Sequence, residues 1–305
     1  MESMRVVSLL PSATEIVHAL GAGDALVGRS EECDFPASVR ELPVVMRART
    51  WDGASPSAEI DARVRAVRGS GSSLYELDLD ALARLRPDVL FTQDLCGVCS
   101  VTETEVATAC RSAGVDPRIV ALTPRRLEEV WASVETAGAA LGLAPEAHAL
   151  ARRLRHASAA THPERARPPP RVAVVEWMDP PILAGLWTPD AVAAAGGAPM
   201  GALGGEPGVR TTWGAIADAR PDLVVLSPCS FSVDRTRTEL RAAPCRAEVE
   251  RLAPALGLWL ADEAYFSRPG PRLSEGVTLL RSLLRGEAPR TPMPVERWVR
   301  GGGAG

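Results

Sequence analysis

Two stretches decide the fold: Arg86-Pro87-Asp88-Val89-Leu90-Phe91-Thr92-Gln93-Asp94-Leu95-Cys96-Gly97-Val98-Cys99, and Arg220-Pro221-Asp222-Leu223-Val224-Val225-Leu226-Ser227-Pro228-Cys229. Each reads as a helix end, an Arg-Pro-Asp turn, a short apolar run and then a thiol. A run of four or five apolar residues bounded by turn signals is the pattern of a strand buried on both faces. Two such strands in one chain predict two similar lobes. In open α/β sheets, ligands sit outside the carboxyl ends of the strands, so both stretches deliver cysteine where chemistry is expected.

Working outward, Arg5 to Leu10 reads as a strand, followed by Pro11-Ser12-Ala13-Thr14-Glu15. Ser12 with Glu15 three residues on has the form of a capping box that opens a helix ending at Gly21. Further strands are expected at Ala25–Gly28, Pro43–Met46 and Arg118–Leu122, with helices at Ser57–Val67, Asp78–Leu85 and Val101–Ala113. From Pro124, Leu127, Val130, Trp131, Val134, Ala137 and Leu141 recur at helical spacing, and a second helical run continues from Pro145. Pro163 to Pro170 reads as an exposed linker. Arg171 to Glu176 opens a second lobe as Arg5 to Leu10 opened the first. That lobe has helices near Pro189–Ala195, Trp213–Ala219 and Arg272–Leu284, and a strand at Leu258–Ala261. The expected fold class is therefore α/β: two Rossmann-like lobes with parallel sheets. The division runs 1–123 for the first lobe, 124–162 for a long helical connector, 163–171 for a linker and 172–290 for the second lobe. The tail, 291–305, is expected to be disordered.

A length of 305 residues suits two domains, and a hydrophobic content of 46% supplies two cores. The net charge of −4 provides no basic field to hold nucleic acid. No run approaches the roughly 20 apolar residues of a membrane span, so no membrane insertion is expected. The N-terminus, MESMRVVSLLPSATEIV, shows no secretory signal. The expectation is a cytoplasmic protein, whose six cysteines serve as free thiols, ligands or catalysts more readily than as structural disulfides.

Cys96 and Cys99 form a CxxC directly after a strand, able to chelate one soft cation or to exchange as a dithiol. Cys33 follows a strand and two acids, Glu31 and Glu32, and Cys229 follows a strand and Pro228. Four thiols at three strand ends suit Zn²⁺ or an iron–sulfur cluster if they converge. Taken singly, Cys33 and Cys229 read as small core residues rather than ligands. Cys110 sits in an apolar helix, and Cys245 lies in a polar segment with no role. Glu176-Trp177-Met178-Asp179-Pro180-Pro181 ends the second lobe's first strand and offers a carboxylate and an indole. Tyr265-Phe266-Ser267-Arg268 is a loop able to clamp a planar or anionic ligand. The four histidines fall on helices or the linker, and no P-loop, GxGxxG or HExxH is present.

VVSLLPSATEIVHALGAGDALVG, ECDFP and DLDALARLRPDVLFTQDLCG, followed by a long helical stretch, resemble the vitamin B12 carrier proteins of bacterial ABC importers. These are periplasmic binding proteins of the helical-backbone metal-receptor type. The resemblance, over about residues 4 to 285, implies two lobes joined by a rigid backbone helix and a ligand cleft between them. It implies a chelated-metal ligand such as cobalamin, haem or a siderophore. Carried onto this sequence, it lines the cleft with Pro11 and Ser12, Cys33 to Phe35, Gln93 to Cys99, Glu176 to Pro181 (with Trp177), Pro228 to Phe231, and Ala264 to Arg268 (with Tyr265), and so places all four strand-end cysteines there. The missing export signal suggests a cytoplasmic branch and argues against an ABC transporter partner.

Three functions follow as expectations, the third being a transport component exported by a route the sequence does not show. The first is a cytoplasmic binder of a metal, metal cluster or cobalamin-like chelate in a cysteine-lined cleft. The second is a metalloenzyme on the same scaffold. In it Cys33, Cys96, Cys99 and Cys229 would hold Zn²⁺ or an iron–sulfur cluster, with Glu176, Glu32 or Asp94 as acid or base.

Overall fold

The computed structural model describes residues 4–50, 53–70, 72–94, 101–160, 168–287, 289 and 294–299. The chain divides into two compact units. One comprises Met1–Ser55, Ile60–Pro124 and Glu128–Leu154; the other comprises Pro56–Glu59, Arg125–Leu127 and Arg155–Gly305.

The first unit is built from β1 (Val6–Ser8), α1 (Pro11–Ala19), β2 (Leu26–Ser30), β3 (Val44–Ala48), α2 (Ser57–Gly69), β4 (Tyr75–Leu77), α3 (Leu79–Leu85), β5 (Val89–Thr92), α4 (Glu103–Ser112), β6 (Arg118–Ala121), α5 (Leu127–Ala140) and α6 (Ala144–Ser158). Its sheet runs β4-β3-β2-β1-β5-β6, parallel except for β4. β1 is the central strand. Chain order reverses between β1 and β5, the topological switch point at which doubly wound folds hold ligands. Val7, Val45, Leu82, Leu90 and Val106 pack the core.

Local sequence sets the helix ends. Pro11 stands in the first turn of α1, and Leu10 is its N-cap without a side-chain cap bond. The capping box expected of Ser12 and Glu15 is therefore absent. The fixed φ of Pro11 suits the first helical position, so the helix starts ahead of Ser12 and leaves it inside the first turn. α4 does carry a capping box, with Thr102 and Glu105 bonded reciprocally. The helical stretch after Pro124 is a pair, α5 and α6, separated at Gly142, which takes a φ of +74°. A Cβ on Gly138 of α5 would collide with Ala147 of α6, so this glycine permits their close approach.

The second unit contains β7 (Arg171–Met178), β8 (Pro181–Leu183), α7 (Thr188–Ala194), β9 (Ala198–Pro199), β10 (Val209–Arg210), α8 (Trp213–Asp218), β11 (Leu223–Leu226), α9 (Val233–Ala242), α10 (Arg246–Arg251), β12 (Leu258–Ala261), α11 (Leu273–Leu284) and β13 (Val295–Arg297). Its sheet runs β10-β8-β7-β11-β12-β13, with β9 beside β7. β9, β7, β11 and β12 are parallel; β8, β10 and β13 are antiparallel. β7, β11 and β12 are the continuous apolar runs legible in the sequence. The antiparallel edges come from short returns, such as the Asp179-Pro180 turn that folds β8 back on β7. Arg126 grips Asp190 of α7 with two bonds of 2.7 and 2.8 Å, and the same carboxylate accepts the Leu127 N–H. No helix among the described residues is long and apolar enough to cross a membrane.

Candidate functional site

In the second unit, the carboxyl ends of β7, β11 and β12 bring three loops together. The Cys229 N–H donates to the Glu176 carbonyl at 3.0 Å, and the Glu263 N–H donates to the Phe231 carbonyl at 3.2 Å. The end of β7 with its turn (176–181) and the segments 228–231 and 262–268 therefore form one edge, at the carboxyl ends of the parallel strands. The indole of Trp177 stands edge-on to the Phe231 ring, with centroids 5.7 Å apart and planes at 65°. This is the preferred geometry for an aromatic pair. The Arg235 guanidinium covers Phe231 at 4.7 Å. Phe231 is fully buried and backs Trp177, which is half-buried and whose Nε1 has no hydrogen-bond partner.

The other candidates on this edge are engaged within the protein. Glu176 Oε2 accepts the Gly185 N–H at 3.3 Å, and a Cβ on Gly208 would collide with its other oxygen. Its carboxylate is thus packed against the β8–β10 side of its own lobe. Tyr265 is buried. Arg268 pairs with Glu263 at 2.5 Å, each side chain 9% exposed. Cys229 is half-buried, with its Sγ 3.4 Å from Ser267 Oγ. The sequence did not flag Glu263 or Arg235. A charge five residues before Arg268, and Ser232 as the N-cap of a helix that brings Arg235 onto Phe231, were the available signals.

In the first unit, the switch-point edge consists of the segments after β1, β2 and β5. Ser12 is 1% exposed, and its Oγ has no partner. Gln93 is half-buried, Asp94 is exposed and Glu32 is half-buried; Gln93 and Glu32 both have interaction partners. Cys33 is fully buried, and Thr14 Oγ1 donates to its Sγ at 3.0 Å. Ser30 Oγ lies 3.3 Å and the Ser8 carbonyl 3.8 Å from the same sulfur. The thiol is thus surrounded by polar groups of its own lobe.

Cys96 and Cys99 fall outside the described residues. Among the described residues no three His, Cys, Asp or Glu side chains come together as a metal site, so a Zn²⁺ or iron–sulfur centre finds no support there. Cys245, expected in a polar segment, is buried in the second unit's core beside Trp213 and Trp298. Burial, reinforced by the charge of Asp179, pushes its thiol up to about 11. Burial also raises Cys110.

The chain matches no protein-family model. It is 30% identical over 101 residues to the vitamin B12-binding protein of Vibrio cholerae serotype O1, a match over 28% of this chain and 35% of that protein. Solved structures agree over nearly the whole length. The periplasmic haem-binding protein from Pseudomonas aeruginosa superposes with a TM-score of 0.69 at 21% identity, over 95% of this chain and 96% of that one. The periplasmic vitamin B12-binding protein of Vibrio cholerae gives 0.61 at 20% identity, over 92% and 96%. The chain therefore has the two-lobed α/β fold of these periplasmic binding proteins. The cytoplasmic location expected from the N-terminal sequence is overturned by the same likenesses, because the proteins that share the fold are periplasmic.

Proposed function

We propose that this protein is a periplasmic substrate-binding protein that carries a metal tetrapyrrole, a haem or a corrinoid, to an ABC importer. The observation that carries this reading is the Trp177–Phe231 pair at the carboxyl edge of β7 and β11, on a fold shared with haem- and vitamin B12-binding proteins. A half-buried indole offers a flat apolar face to a large planar ligand. Trp177 is the proposed contact of the second unit, and the switch-point edge of the first unit, with Ser12 and Gln93, is a candidate surface in its own right. Phe231 packs against Trp177 on the second unit's edge, to which Glu176, Tyr265 and Arg268 also belong. Cys229, half-buried on the same edge, is its candidate ligand for a soft metal.

The test is an absorption titration of the purified protein with haemin and, separately, with cyanocobalamin. A saturable spectral change at one equivalent with either supports the proposal. No change with either, at concentrations well above 10 μM, sinks it.

A further inference from the structure

β1 lies between β2 and β5, and chain order reverses on its β5 side, so the helix that follows β1 starts at the switch point. That helix, α1, has nine residues and an unusual start. Its N-cap, Leu10, brings no side-chain oxygen, and its first residue, Pro11, has no N–H. The Thr14 N–H is satisfied by the Leu10 carbonyl at 3.3 Å. The N–H groups of Ser12 and Ala13 lie too early in the helix for an intrahelical acceptor, and they carry the positive end of the helix dipole. In the same turn the Ser12 hydroxyl has no partner, in a side chain withdrawn from bulk water. Its neighbours do not share this condition. Ser8 Oγ donates to the Leu10 carbonyl at 2.9 Å, Thr14 and Ser30 meet Cys33, and Glu15 has an interaction of its own. Buried hydroxyls are normally paired; one left over beside two donor N–H groups fits an arriving acceptor.

We propose that the first turn of α1, with Ser12 as its side-chain donor, takes an anionic oxygen group of the ligand, a carboxylate or a phosphate. This rests on the tetrapyrrole reading above. An oxyanion would accept from the hydroxyl and the helix N-terminus at once, and such charge-assisted bonds are the strong ones. A porphyrin supplies carboxylates on its rim, and a complete corrinoid supplies the phosphate of its nucleotide loop.

The experiment compares four probes on the intact protein and on Ser12→Ala: haemin and haemin dimethyl ester, cyanocobalamin and dicyanocobinamide. Each pair differs in the anionic group. The wild-type protein is expected to prefer the anionic member of one pair by about 10-fold, and that pair identifies the source of the oxyanion. Ser12→Ala is expected to lose most of the preference between the two members of that pair. Thermal melting of the variant should be unchanged or raised, since alanine removes an unpaired hydroxyl and favours the helix. Equal wild-type binding within both pairs, or a preference that survives in Ser12→Ala, overturns the inference while leaving the tetrapyrrole reading standing. A wild-type protein that binds none of the four probes overturns that reading, and the inference falls with it.

Discussion

Asp88 and Arg5 are bonded twice: the Asp88 carboxylate accepts the Arg5 N–H at 2.8 Å, and the Asp88 N–H donates to the Arg5 carbonyl at 2.8 Å. Asp222 and Arg171 repeat the arrangement at 2.7 and 2.8 Å. The Arg-Pro-Asp repeat therefore has a physical role. Its aspartate fixes the start of each lobe's first strand beside the strand it precedes. The preceding Arg86 and Arg220 turn the chain with φ of +41° and +48°. Both sites are solvent-facing, so Asp88→Ala and Asp222→Ala should each cost about 1 kcal/mol. Urea unfolding checks this; a loss beyond about 3 kcal/mol would mean that the aspartate does more than hold one N–H.

The Glu263–Arg268 pair is a different case, because both side chains are nearly out of water. Removing one partner leaves a buried charge, and Glu263→Gln or Arg268→Ala should destabilise by roughly 3–5 kcal/mol. Replacing both together, as Glu263→Gln with Arg268→Met, should cost less than the two single changes summed. A double variant as unstable as that sum would show that the two residues act independently.

Much of the framework was legible in the sequence because buried parallel strands are unbroken apolar runs: Val89–Thr92, Leu223–Leu226 and Leu258–Ala261 were all placed by that pattern. The two short antiparallel strands β8 and β10 were not, since Pro181–Leu183 and Val209–Arg210 are too short to show alternation. The site was less legible. Trp177 and Phe231 could be named, but the cover of Arg235 over Phe231 depends on α9, whose polar sequence shows few apolar anchors. Spacing suggested that Cys33 was a ligand, yet nothing in the sequence reports that Ser8, Thr14 and Ser30 surround it. The cytoplasmic expectation rested on a few N-terminal residues, whereas the likeness to periplasmic proteins extends over nearly the whole chain.

Trp177 and Phe231 should separate binding from stability. Phe231 is wholly buried, and Phe231→Ala should cost about 3–5 kcal/mol as a cavity opens behind the indole. Trp177 is half-buried, so Trp177→Ala should lower the melting temperature less while weakening haemin or cyanocobalamin binding by about 10-fold or more. Trp177→Phe should keep most of the stability and part of the affinity. Unchanged affinity in Trp177→Ala would remove this edge from the proposed ligand surface.

The thiols give a test that needs no ligand. In a Cys96→Ser, Cys99→Ser background, Cys229 is the one remaining thiol that is not buried. One equivalent of a disulfide reagent should therefore react with the native protein, and four after denaturation. Raising the pH should not readily recruit Cys245, because burial first and the Asp179 charge second hold its thiol at about 11 against the usual 9.0. The sign for stability follows from this raised value. Below pH 9 the thiol is protonated in both the folded and unfolded states, and its burial carries no proton-linked penalty. Between pH 9 and 11 the unfolded chain loses the proton that the folded chain retains, so stability falls as pH rises through that window. Cys245→Ala should flatten this part of the pH–stability curve, at the cost of a small cavity beside Trp213. A curve of unchanged slope in Cys245→Ala would place the alkaline loss on other groups.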